Sequence, residues 1–433
     1  MKRLLLLAAL GTVWAPAVKA ATITVATVNN AQMIVMQKLS PNWEKQTGNH
    51  VRWVVLEENT LRQRVTADIA TRSGQFDVMT IGSYEAPIWG KLQWLAPLSD
   101  LPDRYDYSDI FQPVRDAVSS GGKMYAVPFY AESSMTFYRK DLFDAAHVTM
   151  PAQPTYGFIE KAAAALTDRS KQIYGICLRG QPGWGENMAY VSTLVNTFGG
   201  RWFNEKWQPQ LETPAWHQAV ELYKTLLTKY GPPGLASNGH NENQALYGSG
   251  HCAIWIDATA AAGYVFDKKT SSVSDQTGFA PSPVGKWSGG TGWFWSWNLA
   301  VPASTKNIEA AKSFVAWATS KDYIALVGKE EGWVNLPPGT RKSTYQHPEY
   351  IAAAPFAGVT EKAIESANLT RPSEQPVPYT GIQYVAIPQF QAIGTAVGQN
   401  MAAVLTGQMT VDGALAKSQS QTRSIMRQAG YRQ

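Results

Sequence analysis

The side chains of this sequence best placed to do chemistry are a few carboxylates, one guanidinium and an excess of indoles. Glu57 and Glu58 are adjacent, and Glu132 and Asp257 stand alone at the ends of apolar stretches. A glycosidase needs two carboxyl groups about 5–9.5 Å apart across one bond. Adjacent residues of a strand point to opposite faces, so Glu57 and Glu58 do not make such a pair. Glu132 and Asp257 remain as the acid and base of a glycan-acting enzyme, the minority reading. Nothing else marks a catalytic centre. The sequence has no Gly-x-Ser-x-Gly elbow, no phosphate-binding Gly-x-x-x-x-Gly-Lys-Ser/Thr loop and no His-Glu-x-x-His, and its six His are scattered. No spaced Cys/His set calls for a metal, and no motif calls for a cofactor.

Binding is the better use of these residues. Sixteen Trp is a high count, and several lie in Gly-rich loops. Trp184 sits in Pro182-Gly-Trp-Gly185, where flanking glycines let the backbone present the ring. The C–H face of a sugar or polyol packs on an indole, while its hydroxyls need donors and acceptors at the rim. In Gly292-Trp-Phe-Trp-Ser-Trp297 a strand puts Trp293, Trp295 and Trp297 on one face. Trp293 and Trp295 are expected to line a cleft and Trp297 to join the core. Arg179 offers a planar donor fork to neighbouring hydroxyls, with a surface salt bridge as its alternative. Asp257 either accepts from a ligand or caps the helix beginning near Thr259. Glu58 is taken as an exposed carboxylate. This mixed set suits a neutral polyhydroxylated compound better than an anion, which would call for clustered Arg and Lys.

These groups need elements to hold them. Thr22 to Val28 alternates as a strand, and an amphipathic helix follows, restarted at Ser40-Pro41. Val51–Leu56 is a strand, Leu61–Arg72 a helix and Phe76–Ile81 a strand. Strands are expected again at Tyr125–Pro128, Met135–Tyr138, Ile173–Leu178, Cys252–Asp257 and Phe294–Val301. Helices are expected near Thr155–Leu166, Glu186–Phe198, Pro214–Leu227 and Glu242–Gly248, and through most of the chain after Asn307. Strand–helix alternation implies an α/β fold with parallel sheets flanked by helices. In such sheets ligands bind where loops leave the carboxyl ends of strands. That rule singles out Asn30, the Glu57-Glu58 turn, Tyr84, the Arg179–Gly185 loop and Asp257.

The chain has 433 residues, too many for one ordinary core, so two lobes are expected. Lys2 and Arg3, the apolar run from Leu4 to Leu10 and the small residues at Val18-Lys19-Ala20 read as a signal peptide cut after Ala20. Net charge is +5, and removing Lys2, Arg3 and Lys19 leaves +2, so no nucleic-acid partner is inferred. Cys177 and Cys252 are read as two buried thiols in preference to the single disulfide that an oxidising compartment would allow.

Gly122-Lys-Met-Tyr-Ala-Val-Pro-Phe-Tyr-Ala-Glu-Ser-Ser-Met-Thr-Phe-Tyr-Arg-Lys-Asp-Leu-Phe143 resembles the crossover between lobes in family-1 extracellular solute-binding proteins, the binding components of ABC sugar importers. Phe76-Asp-Val-Met-Thr-Ile-Gly-Ser-Tyr-Glu85 resembles that family's first ligand loop. Cys177-Leu-Arg-Gly-Gln-Pro-Gly-Trp-Gly-Glu-Asn-Met188, Trp255-Ile-Asp-Ala-Thr259 and Pro378-Tyr-Thr-Gly-Ile-Gln-Tyr-Val-Ala-Ile-Pro388 are similar to the sorbitol/mannitol-binding branch. The resemblance implies a two-lobe periplasmic binding protein fold, each lobe a mainly parallel sheet flanked by helices, with the ligand in the cleft between. It places residues 1–20 in the signal peptide, 21–131 plus 293–341 in the N-lobe and 132–292 plus 342–433 in the C-lobe. It implies a periplasmic monomer that closes on a polyol or small sugar and meets an ABC permease transiently, without catalysis. It adds Glu132, at the crossover, and tips Asp257 toward the ligand. Asn187 and Gln383, inside the branch-like segments, complete the expected set.

Overall fold

The computed structural model describes residues 20–102 and 105–431. The expected signal peptide lies outside them, apart from Ala20. Strand β1 (Thr22–Val28) is buried at every position after its first residue, as a central strand covered on both faces must be. Asn30 then caps helix α1 (Ala31–Leu39), its side chain accepting the backbone N–H of Met33. Such a cap stabilises a helix by about 1 kcal/mol. Pro41 restarts the chain as α2 (Pro41–Thr47), which ends at Gly48 with φ of 74°. Strand β2 (His50–Leu56) runs parallel to β1 and delivers the chain to α3 (Glu58–Thr71), capped by Glu57.

Strand β3 (Val78–Gly82) is also parallel to β1. A short hairpin, β4 (Ser119–Ser120) with β5 (Lys123–Met124), precedes β6 (Val127–Glu132) and β7 (Ser134–Arg139). Later come β8 (Ile254–Ala258), β9 (Thr277–Pro281) and β10 (Trp295–Ala300). The first lobe is built on the sheet β2-β1-β3-β10-β6, the second on β8-β7-β9. Only Ser133 separates β6 in one sheet from β7 in the other. Ser133 is tied to Thr259 by two bonds, Thr259 N–H to its carbonyl and its own N–H to Thr259 Oγ1. The chain thus crosses between lobes beside the end of β8. The second lobe is completed by helices Asn187–Thr197, Pro214–Tyr230, Phe390–Leu405 and Val411–Gln428, which pack on one another.

Three expectations need correction. The parallel order holds in β2-β1-β3, but β10 runs antiparallel to β3 and β6, and β7 runs antiparallel to both β8 and β9. Residues 173–178 do not form a full strand; they touch β8 and the residues leading into it through single parallel bridges, Tyr174 with Cys252 and Cys177 with Trp255. Those bridges bring Cys177 and Cys252 together as a disulfide rather than two thiols. Their Cα atoms are 5.9 Å apart, inside the range a disulfide spans (about 4.4–6.8 Å). Among the described residues no helix is long and apolar enough to cross a membrane.

Candidate functional site

Residues of both lobes, many of them from strand-end loops, supply the walls of one cleft. On the first lobe the wall is Asn30, Glu57, Glu58, Arg62, Tyr130, Glu132, Trp295 and Trp297. On the second it is Arg179, Gln181, Trp184, Gly185, Glu186, His240, Asn241 and Gln383, with Trp293 at the crossing.

Register explains much of the first wall. Trp295 stands opposite Glu132 and Trp297 opposite Tyr130 in the β10–β6 pair. A Cβ on Gly82 would overlap the Trp295 ring, so glycine there is what lets the indole lie across the sheet end. Asn30 uses both ends of its amide: Oδ1 caps α1 and Nδ2 donates to the Tyr130 hydroxyl at 2.7 Å. Glu58 accepts Nε and Nη2 of Arg62 at 3.1 and 2.8 Å, and Glu85 accepts Nη1 at 2.9 Å. The same guanidinium lies 4.0, 4.8 and 4.7 Å from the ring centroids of Trp184, Trp295 and Trp297. Three indoles therefore box a cation already bound by two carboxylates, each contact favourable once water is excluded. Burial works against the Arg62 charge, yet Glu58 and Glu85 raise its pKa further.

The second wall is organised around Arg179. Its Nε and Nη2 donate to the two oxygens of Asp257 at 2.9 and 2.6 Å, and Nη1 donates to the Gly185 carbonyl at 3.0 Å. Glu186 lies 3.7 Å from Nη1, and His240 Nδ1 lies 2.9 Å from Asp257. Burial pushes Asp257 up, but Arg179 and His240 override it and hold the carboxylate well below its usual range. Glu132 behaves oppositely. Burial drives its pKa up to about 8 against the pull of Arg179, with Asp257 and Glu58 adding to the rise. Burial also drives Glu186 up, against the pull of Arg179. Both shifts favour the protonated carboxyl, which can donate as well as accept, as a polyol hydroxyl requires.

Of the residues expected from sequence, Asn30, Glu132, Arg179, Trp184, Trp293, Trp295 and Gln383 line the cleft. Gln383 does so with its amide held, donating to the Phe294 carbonyl and accepting the Phe294 N–H. Trp184 keeps its indole N–H buried without a partner. Three residues lie one layer behind. Tyr84 is buried under Trp184 and donates to the Ile387 carbonyl at 2.9 Å. Asn187 is buried at the start of its helix, where it accepts Gly183 N–H and donates to the Gly398 carbonyl. Asp257 is fully buried on Arg179 and His240, so Glu132 and Asp257 do not form an acid–base pair across the cleft.

Other expectations shift as well. Glu58 is not exposed but clamped under Arg62, and Trp297 joins the cleft wall rather than the core alone. Glu57 and Glu58 begin α3 instead of continuing the strand, and both line the cleft. Arg62, Glu186, His240 and Asn241 escaped sequence reasoning, and Gln181 entered it only as part of the Arg179–Gly185 loop. The one available signal was the four-residue spacing of Glu58 and Arg62, which also marks any exposed helix pair.

Residues 27–325 match the family of bacterial extracellular solute-binding proteins. The chain belongs to that family. A mannitol-binding protein of Pseudomonas aeruginosa is 53% identical over 413 residues, covering 95% of this chain and 94% of the relative. A crystal structure of an ABC transporter solute-binding protein from Agrobacterium vitis with bound D-mannitol shares 55% identity, with a TM-score of 0.94 over 96% of this chain and all of that one. A solute-binding protein of Agrobacterium radiobacter in complex with ribitol shares 26% identity and a TM-score of 0.83, over 94% of this chain and 98% of that one. These relatives are named as binding proteins, and this chain belongs to the same family of solute-binding proteins.

Proposed function

We propose that this protein is the substrate-binding component of an ABC importer and captures an acyclic hexitol of the mannitol/sorbitol type. The two lobes close over the ligand, and the closed form is handed to a membrane permease. The observation that carries the reading is the full-length likeness to a protein holding D-mannitol, joined to a cleft whose free groups suit hydroxyls. Those groups are the Glu132 carboxyl, which burial shifts toward its protonated form, and the unpartnered Trp184 indole N–H, with Glu186 beside them although its Oε2 already accepts the His240 N–H. The N-lobe comprises residues 21–132 plus 293–341 and the C-lobe 133–292 plus 342–433; Glu132, expected from sequence to open the C-lobe, instead closes β6 of the first sheet. Residues 1–20 direct export to the periplasm and are removed, and the mature chain works as a monomer. Asn30, Glu132, Arg179, Trp184, Trp293, Trp295 and Gln383 are the proposed contacts, with Tyr84, Asn187 and Asp257 supporting them from behind.

Calorimetry against mannitol, sorbitol, arabitol, xylitol, glucose and maltose tests this reading. We expect stoichiometric binding strongest for a hexitol, with ligand recovered unchanged. Silence across the panel, or conversion of the ligand, overturns it.

A further inference from the structure

The loop Pro182-Gly-Trp-Gly185 contains two glycines that its backbone does not require, since neither Gly183 nor Gly185 has a positive φ. Space explains them instead, and the space is limited by the opposite lobe. A Cβ on Gly185 would overlap Oε1 of Glu58 and lie 3.0 Å from Nη2 of Arg62. A Cβ on Gly183 would lie 2.6 Å from Oδ1 of Asn59. No other neighbour of either Cβ is as near. Glu58, Asn59 and Arg62 all belong to the N-terminal turns of α3, on the first lobe.

Glu58 and Arg62 have little room to give way. Glu58 is gripped by Arg62, and Arg62 is held by Glu85 and by three indoles. The same two segments are joined by hydrogen bonds, Gln181 Nε2 to Glu57 at 3.1 Å and Asn59 Nδ2 to the Pro182 carbonyl at 3.4 Å. Trp184 reaches across the gap to stack on Arg62. These contacts are protein to protein.

We propose that the Pro182–Gly185 loop and the N-terminal turns of α3 form a latch that sets ligand affinity through the stability of the closed form. Gly183, Gly185 and Asn59 act in it as positioning residues. A methyl group at either glycine is accommodated while the lobes are apart and collides only when they meet. Apparent affinity falls in proportion to the population of the binding-competent state, so such a wedge weakens binding without removing a ligand contact. The inference rests on reading the cleft as a ligand site that opens and closes. Gly183 is the cleaner probe because, unlike Gly185, it does not line the cleft.

The test uses the full mature chain as wild type, Gly183→Ala, Gly185→Ala and Gly183→Ala/Asn59→Ala, with calorimetry and stopped-flow fluorescence on D-mannitol and D-sorbitol. Both single variants should bind at least about tenfold more weakly, mainly through faster dissociation. Gly183→Ala should keep the mannitol-to-sorbitol ratio within about twofold of wild type. Removing the Asn59 side chain in that background should bring affinity back to within about threefold of wild type, a coupling a purely local structural defect would not show. Circular dichroism of the ligand-free variants should match wild type, showing that the lobes fold as before. Wild-type affinity in Gly183→Ala, absence of rescue, or a changed ligand ratio overturns the latch. If wild type binds neither polyol, the ligand assignment is what fails. The latch is then decided by X-ray scattering of the ligand-free proteins, where Gly185→Ala must have the larger radius of gyration and an equal radius overturns it.

Discussion

Replacing Arg179 by methionine should be among the most costly single changes on the cleft wall. Arg179 and Asp257 are both buried, and two hydrogen bonds at 2.9 and 2.6 Å join them. Deleting one partner of a buried ion pair strands the other charge and costs about 3–5 kcal/mol. Loss of the bond to the Gly185 carbonyl accounts for about 1 kcal/mol of that cost. Against a total stability of about 5–15 kcal/mol, the change should move a urea midpoint clearly. The pH dependence should separate this cause from simple loss of packing. In wild type Arg179 and His240 hold Asp257 below its unfolded value, so its contribution is present above about pH 4 and is lost as pH falls through the folded value. Without Arg179, burial dominates and the folded value rises above the unfolded one. The variant's deficit should then shrink as pH is lowered from 7.5 to 5. Adding Asp257→Asn should recover much of the loss by removing the stranded charge. A deficit below about 1 kcal/mol, or one that does not change with pH, would refute the view that Arg179 neutralises Asp257.

Trp184→Ala should weaken hexitol binding by about 2 kcal/mol or more, read by calorimetry, since the ring lines the cleft with an unpartnered N–H; unchanged affinity removes it from the site. Glu132 should make folding less favourable as pH rises. Burial keeps it protonated up to about 8, so the folded chain binds more protons than the unfolded one between about pH 4.3 and that value. Glu132→Gln should remove up to about 1.4 kcal/mol per pH unit from the slope of urea stability, and equal slopes would contradict this. Converting Cys177 and Cys252 to serine opens a crosslink spanning 75 residues, worth about 4 kcal/mol in chain entropy. Scanning calorimetry should find a melting temperature several degrees lower, and an unmoved transition would count against the bond's role.

Sequence located the right loops more reliably than the right atoms. The alternation of Thr22–Val28 and the apolar run through Val78–Gly82 were legible because a strand with a period of two, or one buried on both faces, leaves a mark that needs no partner. Strand direction in the second sheet was not, because β7 and β8 are separated by over a hundred residues and nothing local records how they meet. The same limit governs the site. Asp257 and Tyr84 stand at the predicted strand ends, but whether a side chain faces the cleft or the layer behind depends on what occupies the space opposite. For Asp257 that is Arg179, and for Tyr84 it is the Ile387 carbonyl. Arg62 reads in sequence as half of an ordinary helical salt bridge, and only the arrival of Trp184 from the other lobe turns it into part of the cleft. The disulfide was missed for a similar reason, since it depends on a 5.9 Å approach made by two isolated bridges.

The charges of the cleft decide what kind of solute it can hold. Arg62 faces Glu58 and Glu85, and Arg179 faces Asp257 with Glu186 close by, so each guanidinium is matched by carboxyl groups before any ligand enters. An anionic solute would find no free cation and would add to a wall already rich in carboxyl groups, a costly arrangement where water is excluded. Burial shifts Glu132 and Glu186 toward their protonated forms, which lessens that penalty. A neutral carboxyl offers one donor and spare acceptor capacity, as a hydroxyl does, so a row of ligand hydroxyls can exchange bonds with it without any charge being moved. Asp257, the other member of the only acid–base pair suggested by sequence, is bound on both oxygens and lies behind the cleft wall. The pairing that makes the cleft suitable for a neutral polyol is therefore the same pairing that keeps this carboxylate from acting on it.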